Sequence, residues 1–256
     1  MEIKTGPSLH PLLMAGRCRS YFTSRGEGFN PADPYGGFNI CHYTGGNEAD
    51  TARCLSELCN ATGLDREHII IPTQTHSCRV VTVDRIPFPA CELNGCDALV
   101  TRMKNVAIGV NTADCLPVVM LDPVNGTAGV AHAGWRGAVA GIAGATVEAM
   151  RRLGSDPADI VYAIGPSICP ECFEVGEEVA CRFPDPVVLY PDGHDGKPHV
   201  DLQSYIKLQL ARAGVPPTNG QPWTEMMCTR HHPERYFSAR AAGTASGRGF
   251  TFAIVI

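Results

Sequence analysis

Two apolar runs separated by five turn-forming residues constrain the fold of this chain more than any other feature. Pro117-Val118-Val119-Met120-Leu121 and Thr127-Ala128-Gly129-Val130-Ala131-His132 are short and β-rich, as strands of a buried sheet are. Between them Asp122-Pro123-Val124-Asn125-Gly126 supplies turn chemistry: the proline ring fixes one backbone dihedral, and Asn-Gly accepts positive ones. An antiparallel hairpin is the simplest connection. It argues against a purely parallel, doubly wound sheet.

Further strands are expected at Val80-Val81-Thr82-Val83, at Val106 to Val110, at Val161 to Gly165 and over the terminal Phe250 to Ile256. Good helix formers run from Ala138 to Leu153, placing Val139, Ile142, Thr146 and Met150 near one face before Gly154 stops the helix. A second helix is expected over Glu48 to Ala61 with Asn47 as N-cap, and a third from about Leu202 to Ala213 before Gly214. Interleaved helices and a hairpin-bearing mixed sheet define the α+β class. Pro184 to Pro198, rich in proline, glycine and aspartate, reads as a surface loop rather than a linker, so residues 1–256 are read as a single domain.

The chain has 256 residues, 44% of them hydrophobic and 18% charged, which is the profile of an ordinary globular protein with ample core. Its formal net charge of -5 argues against a nucleic-acid binder that relies on bulk positive charge. Met1 to Pro7 lacks the basic and apolar runs of a secretory signal, and no apolar stretch is long enough to span a bilayer. A cytoplasmic protein with no membrane partner is expected. In that setting the twelve cysteines read mostly as buried thiols rather than as disulfides.

Chemistry concentrates in three places: Thr73-Gln74-Thr75-His76-Ser77, Asn111-Thr112-Ala113-Asp114-Cys115, and Ala131-His132-Ala133-Gly134-Trp135-Arg136-Gly137. Zinc takes imidazole nitrogen and thiolate sulfur, and a catalytic zinc keeps three protein ligands and one open position. His76, Cys115 and His132 meet that requirement, with the hairpin able to bring Cys115 close to His132. A rival reading makes Cys115 a nucleophile, with His132 or His76 as base and Asp114 or Gln74 as orienting group. The second histidine favours zinc, which uses both imidazoles. Arg136 offers a planar fork for phosphate, and Trp135 either stacks on a ligand or packs the following helix. Gly243 to Gly249 reads foremost as a glycine-rich surface turn, with Arg248 a further candidate anion contact. Cys169-Pro170-Glu171-Cys172 has the spacing of a redox pair or half a zinc site, but no second Cys-x-x-Cys matches it. Adjacent His231-His232 point to opposite faces on an extended chain, which makes chelation by the pair unfavourable. Nucleotide phosphate-binding loops are absent.

This combination resembles the YfiH/YlmD family, long labelled laccase-like or multicopper polyphenol oxidase and later understood as purine nucleoside phosphorylases. The resemblance rests on an ordered series covering nearly the whole chain. It includes Thr23-Ser24-Arg25, Phe38-Asn39-Ile40, Gln74-Thr75-His76, Asp97-Ala98-Leu99-Val100-Thr101, Ala113-Asp114-Cys115-Leu116-Pro117 and His132 to Gly137. It continues through Gly165-Pro166-Ser167-Ile168, Cys172-Phe173-Glu174-Val175-Gly176, Asp201-Leu202, Cys228-Thr229, Phe237-Ser238-x-Arg240 and Gly247-Arg248. Gly45-Gly46-Asn47 and Tyr43 depart from the family pattern, where Gly-Asp-Asp and a histidine are frequent.

The resemblance implies a layered α/β/β/α sandwich with mixed sheets and one zinc held by His76, Cys115 and His132. It further implies phosphate-dependent cleavage of adenosine, inosine, guanosine or methylthioadenosine, accompanied by adenosine deamination. A multicopper oxidase needs many histidines around several centres, whereas this chain has 9 histidines and one three-ligand cluster, so copper is disfavoured. On this reading Cys115, His76, His132 and Asp114 are catalytic. Asn39, Gln74, Arg136 and Arg248, with Arg25 as a further cation, are candidate contacts to nucleoside or phosphate, and Asp97 is an acid/base or an orienting group. Two alternatives stand beside it: a hydrolase that edits peptidoglycan precursors, with Cys115 as nucleophile, and a non-catalytic zinc-dependent interaction protein.

Overall fold

The computed structural model describes residues 3–6, 8–191, 193 and 196–256. In chain order they form β1 (Leu9–Ala15), β2 (Cys18–Thr23), α1 (Glu48–Thr62), β3 (Ile69–Ile70), β4 (Val80–Val83), β5 (Ala98–Thr101), β6 (Ala107–Thr112), β7 (Leu116–Asp122) and β8 (Thr127–Ala133). There follow α2 (Trp135–Val139), α3 (Ile142–Arg152), β9 (Val161–Ile164), α4 (Glu177–Ala180), β10 (Val188–Leu189), β11 (His199–Val200), α5 (Leu202–Arg212), α6 (Ala239–Ala242) and β12 (Gly249–Val255).

The expected hairpin is present. β7 and β8 pair antiparallel from Leu116 opposite Ala133 to Asp122 opposite Thr127. The Asp122 carboxylate tightens the turn by accepting from the backbone N–H groups of Val124 and Asn125, both at 2.9 Å, and Gly126 takes φ 67°. This hairpin forms the middle of a sheet ordered β4-β5-β8-β7-β9, in which only β4 and β5 are parallel. A second sheet, ordered β1-β2-β12-β6-β3, is antiparallel except for β3 beside β6.

Side chains alternate across these strands and so divide the core. On β7, Val119 and Leu121 face the other sheet and meet Ile108, Val110 and Val255, while Val118 and Met120 face α3 and α5 and meet Ile142, Met150, Ile206 and Leu210. On the far side of the second sheet, Cys54 and Leu58 of α1 pack on Tyr21, Phe250 and Phe252. The order of layers is therefore α/β/β/α, a mixed α+β arrangement as the resemblance implies.

α1 begins where expected: the Asn47 side chain accepts from the N–H groups of Ala49 and Asp50, and Gly63 closes the helix at φ 69°. The helix expected over Ala138 to Leu153 is different. It starts at Trp135, breaks at Ala140-Gly141, where Gly141 takes φ 88°, and restarts as α3. The expected face survives the break, with Ile142, Thr146 and Met150 buried. Within Pro184 to Pro198, residues 192, 194 and 195 lie outside the described residues; before them Val188 and Leu189 of β10 pair with Val200 and His199 of β11, so that stretch is partly ribbon. β1 carries a proline, Pro11, which an edge strand tolerates, and its register shifts between Pro11 and Leu13.

Phe252 is fully buried and stacks on Tyr21 and Phe250 with centroids 5.5 and 5.4 Å away. Phe252→Ala is expected to cost about 3–5 kcal/mol of unfolding free energy. Urea titration checks it, and a loss below about 1 kcal/mol would contradict this packing.

Candidate metal centre

A carboxylate with no access to water needs hydrogen-bond donors on both oxygens. Asp97, 0% exposed, has five. Oδ1 accepts from the His76 amide at 3.0 Å and His132 Nδ1 at 2.8 Å; Oδ2 accepts from the Thr75 amide at 3.1 Å, the Ser77 amide at 2.7 Å and Ser77 Oγ at 2.8 Å. Three successive amides can converge on one carboxylate because His76 adopts a left-handed φ of 63°, a conformation that costs a non-glycine residue about 1 kcal/mol or more. Burial opposes ionisation of Asp97, but the His132 hydrogen bond and charge and the Ser77 donors outweigh it. They hold the carboxyl well below the usual carboxylate range.

Engaging Nδ1 of His132 in this way fixes the ring and leaves Nε2 to face Cys115. Cys115 follows Asp114, whose φ of 80° turns the chain sharply between β6 and β7. That corner is held from outside: the Ile168 amide donates to the Asp114 carbonyl at 2.9 Å, Thr229 Oγ1 to Oδ1 at 2.7 Å and the Arg240 amide to Oδ2 at 2.6 Å.

His76, Cys115 and His132 thereby each offer one ligand atom, all within 4.8 Å of one another. Cys115 Sγ lies 3.8 Å from His76 Nε2, and the two imidazoles meet edge to face with centroids 4.8 Å apart. Burial alone would raise the Cys115 thiol, yet the charge of His132 and hydrogen bonds from His132 and His76 lower it to about 6. Burial likewise opposes a charged His132, and the Cys115 thiolate together with Asp97 raises it to about 9. A thiolate, two imidazoles and a carboxylate behind one of them make a set suited to a soft or borderline divalent ion. His132 is buried, Cys115 half-buried and His76 exposed, so the set opens outward on the His76 side.

Space for the three comes from Gly134, the residue after β8. A Cβ there would stand 2.7 Å from His76 Cδ2 and 2.9 Å from Cys115 Sγ, although its φ of -67° suits any residue.

Of the other residues singled out in the sequence, Gln74 is committed to the backbone of Asn111, donating from Nε2 to its carbonyl at 2.8 Å and accepting its N–H at 2.7 Å. Asn39 Oδ1 accepts from the amides of Cys41 and Arg248, both at 3.1 Å. The Arg248 guanidinium folds onto its own loop, bonding Thr244 and Gly247 carbonyls at 2.9 Å and Ser246 O at 2.6 Å. Arg25 is buried among the carbonyls of Asp33, Gly36 and Pro233 and lies over Phe29 and Phe237. Arg136 differs from these. It is exposed in the first turn of α2, stacked 4.2 Å over the Trp135 ring.

Two polar groups beside Gln74 have no signature in sequence spacing. Asn111 is 2% exposed, and its side-chain amide makes no hydrogen bond of ordinary geometry, with the Tyr43 hydroxyl as its neighbouring polar group. Tyr43 donates to Gln74 Oε1 at 3.2 Å beside it. An orphaned buried amide is a structural signal and has no counterpart in sequence spacing. A cleft of about 600 Å³ is lined by Asn39, Tyr35 and Asn47 among others, and by none of the three candidate metal ligands.

Gly134→Ala is expected to lower metal occupancy while leaving the far-ultraviolet circular dichroism unchanged. Asp97→Asn is expected to weaken metal affinity about 10–100-fold, read by competition with a chromophoric chelator. Affinity equal to the parent's in Asp97→Asn would contradict the orienting role of that carboxylate.

A family model described as multi-copper polyphenol oxidoreductase laccase matches residues 19–256. Adenosine deaminase RL5, from an unknown prokaryotic organism, is 41% identical over 245 residues, which are 91% of this chain and 92% of that protein. A purine nucleoside phosphorylase of Bacteroides thetaiotaomicron is 34% identical over 241 residues, covering 90% and 88% respectively. Among solved structures, the chain is similar to the hypothetical protein YfiH of Bacillus licheniformis, with TM-score 0.88 and 27% identity over 98% of this chain and 97% of that one. It is also similar to YlmD of Geobacillus stearothermophilus, with TM-score 0.84 and 25% identity over 100% and 99%.

Proposed function

The chain belongs to the multi-copper polyphenol oxidoreductase laccase family, which includes YfiH and YlmD, and we propose that it is a zinc-dependent purine nucleoside phosphorylase with accompanying adenosine deaminase activity. The observation that carries the proposal is the convergence of His76, Cys115 and His132 into an open three-ligand set, in a chain whose relatives bear both of those names.

His76, Cys115 and His132 would hold the zinc, which would supply a Lewis acid and lower the pKa of a water. The remaining work falls to the chain. Asp97 holds the His132 ring in register with its Nε2 toward Cys115, and it is fully engaged in doing so. Asp114 acts as a positioning residue for Cys115, because Thr229 and Arg240 occupy its carboxylate oxygens. Arg136, exposed two residues after Gly134, is a cation available to phosphate. The Asn111 amide, with Tyr43 at its side, is the contact available to sugar or base. In phosphorolysis a phosphate oxygen bonds to the anomeric carbon as the bond to the purine nitrogen breaks. In deamination water adds to the purine ring, and ammonia leaves.

The lowered Cys115 thiol, 3.8 Å from His76, favours one second reading: a cysteine hydrolase, such as an editor of peptidoglycan precursors. The two readings diverge on chelation. With metal bound, adenosine, inosine, guanosine and methylthioadenosine are assayed with and without phosphate, alongside chelator-treated protein and Cys115→Ala. Phosphate-dependent release of purine, abolished by chelation and reduced more than about 100-fold in Cys115→Ala, is the expected result. Inactivity toward all four nucleosides, or full activity in Cys115→Ala, would reject the proposal. Stoichiometric zinc without turnover would return the protein to the non-catalytic class.

A further inference from the structure

Cys169-Pro170-Glu171-Cys172 has no matching Cys-x-x-Cys in the sequence, but the fold supplies its complement as Cys228-Thr229-Arg230-His231. The four donor atoms lie within 4.8 Å of one another. Cys172 Sγ is 3.1 Å from His231 Nε2, and Cys169 Sγ is 3.8 Å from His231 Nδ1. The Cys169 amide donates to Cys228 Sγ at 3.4 Å. Each pair sits on a single tight turn: the Cys172 amide reaches the Cys169 carbonyl at 3.1 Å, and the His232 amide reaches the Cys228 carbonyl at 3.1 Å. A short bridge aligns the two turns, with the Ser167 amide donating to Met227 O at 3.0 Å and the Thr229 amide to Ser167 O at 3.1 Å.

We propose that Cys169, Cys172, Cys228 and His231 form a second zinc site, structural rather than catalytic. The donor set is complete. Three thiolates and one imidazole fill a tetrahedron and leave no position for water, which is the composition of structural zinc sites. Ligand atoms around a tetrahedral zinc stand roughly 3.3 to 3.8 Å apart, given bond lengths of about 2.0 Å to nitrogen and 2.3 Å to sulfur. The observed spread, within 4.8 Å, overlaps that range, and the half-buried Cys172 and exposed His231 are the side chains with room to adjust. Cys169 and Cys228, 2% and 0% exposed, form its inner wall.

The location gives such an ion a task. Ile168, next to Cys169, donates to the carbonyl of Asp114, and Thr229, next to Cys228, donates to its carboxylate. A zinc clamping these two turns therefore pins the strained corner that carries Cys115. The inference stands on this cluster alone and does not depend on the nucleoside reaction.

Its test uses a chain in which the first centre is disabled. His76→Ala/Cys115→Ala, purified from zinc-supplemented cells, is expected to retain one zinc per chain by elemental analysis, and X-ray absorption should show three sulfur and one nitrogen neighbours. The parent is expected to carry two. Cys172→Ser is expected to lose one equivalent and to unfold at a lower temperature; should it fail to fold, the double variant still decides. A metal-free double variant, a different ion or ligand count there, or a Cys169–Cys172 disulfide in the parent's intact mass would overturn the proposal.

Discussion

One carboxylate sets the terms for the rest of this structure. Asp97 is ionised in a place without water, and an uncompensated charge there would cost more than the marginal stability of a domain. The fold answers with the loop Thr75 to Ser77, wrapped so that its amides point inward, and with the ring of His132. Those hydrogen bonds are what hold His76 and His132 beside Cys115. The left-handed His76 is one consequence, since the strain it stores is offset by the hydrogen bonds it allows.

Strand register turns this local demand into a site. β5 pairs with β8 so that Ala98 lies opposite Ala131, and the His132 amide reaches the Asp97 carbonyl at 2.7 Å. β7 pairs with β8 so that Leu116 lies opposite Ala133, which brings Cys115 level with Gly134. A slip of one residue in either pairing would turn His132 to the opposite face of the sheet. Both faces of this sheet are buried in apolar layers, so such a slip would also misplace Val118, Val119, Met120 and Leu121. The core thus enforces the register on which the ligand geometry depends.

The parts of this arrangement that are local were legible in the sequence. The Asp122 to Gly126 turn, the Asn47 cap and the three candidate ligands depend on residue types at short spacing or within one hairpin. β1 and β2 were not anticipated, because Pro11 interrupts an apolar run that makes sense only at a sheet edge. The break at Gly141 was also hidden, since an isolated glycine inside a helical pattern is compatible with continuity. Gln74, Arg25 and Arg248 carry suitable chemistry for a ligand, but the fold consumes their hydrogen-bonding capacity internally. Residue type does not reveal whether a polar group is already engaged. The Cys169 cluster was missed because its halves are far apart in sequence and one of them is Cys-x-x-His.

The same distinction governs the twelve cysteines, which composition alone cannot sort. Cys18 and Cys96 are fully buried, and burial lifts both thiols to about 11, assisted by Asp122 at Cys18 and by Asp97 at Cys96. They behave as small apolar side chains with weak donors, as the Cys18 contacts to the carbonyls of Asp122 and Thr127 show. Cys115 is desolvated too, yet two imidazoles reverse the sign of the effect. Desolvation without a cationic partner yields an inert thiol, and desolvation beside His76 and His132 yields a thiolate ready for an ion or an electrophile. Cys96 and Asp97 are consecutive, so a single step along the chain separates the thiol that packs between the sheets from the carboxylate that supports the thiolate of Cys115.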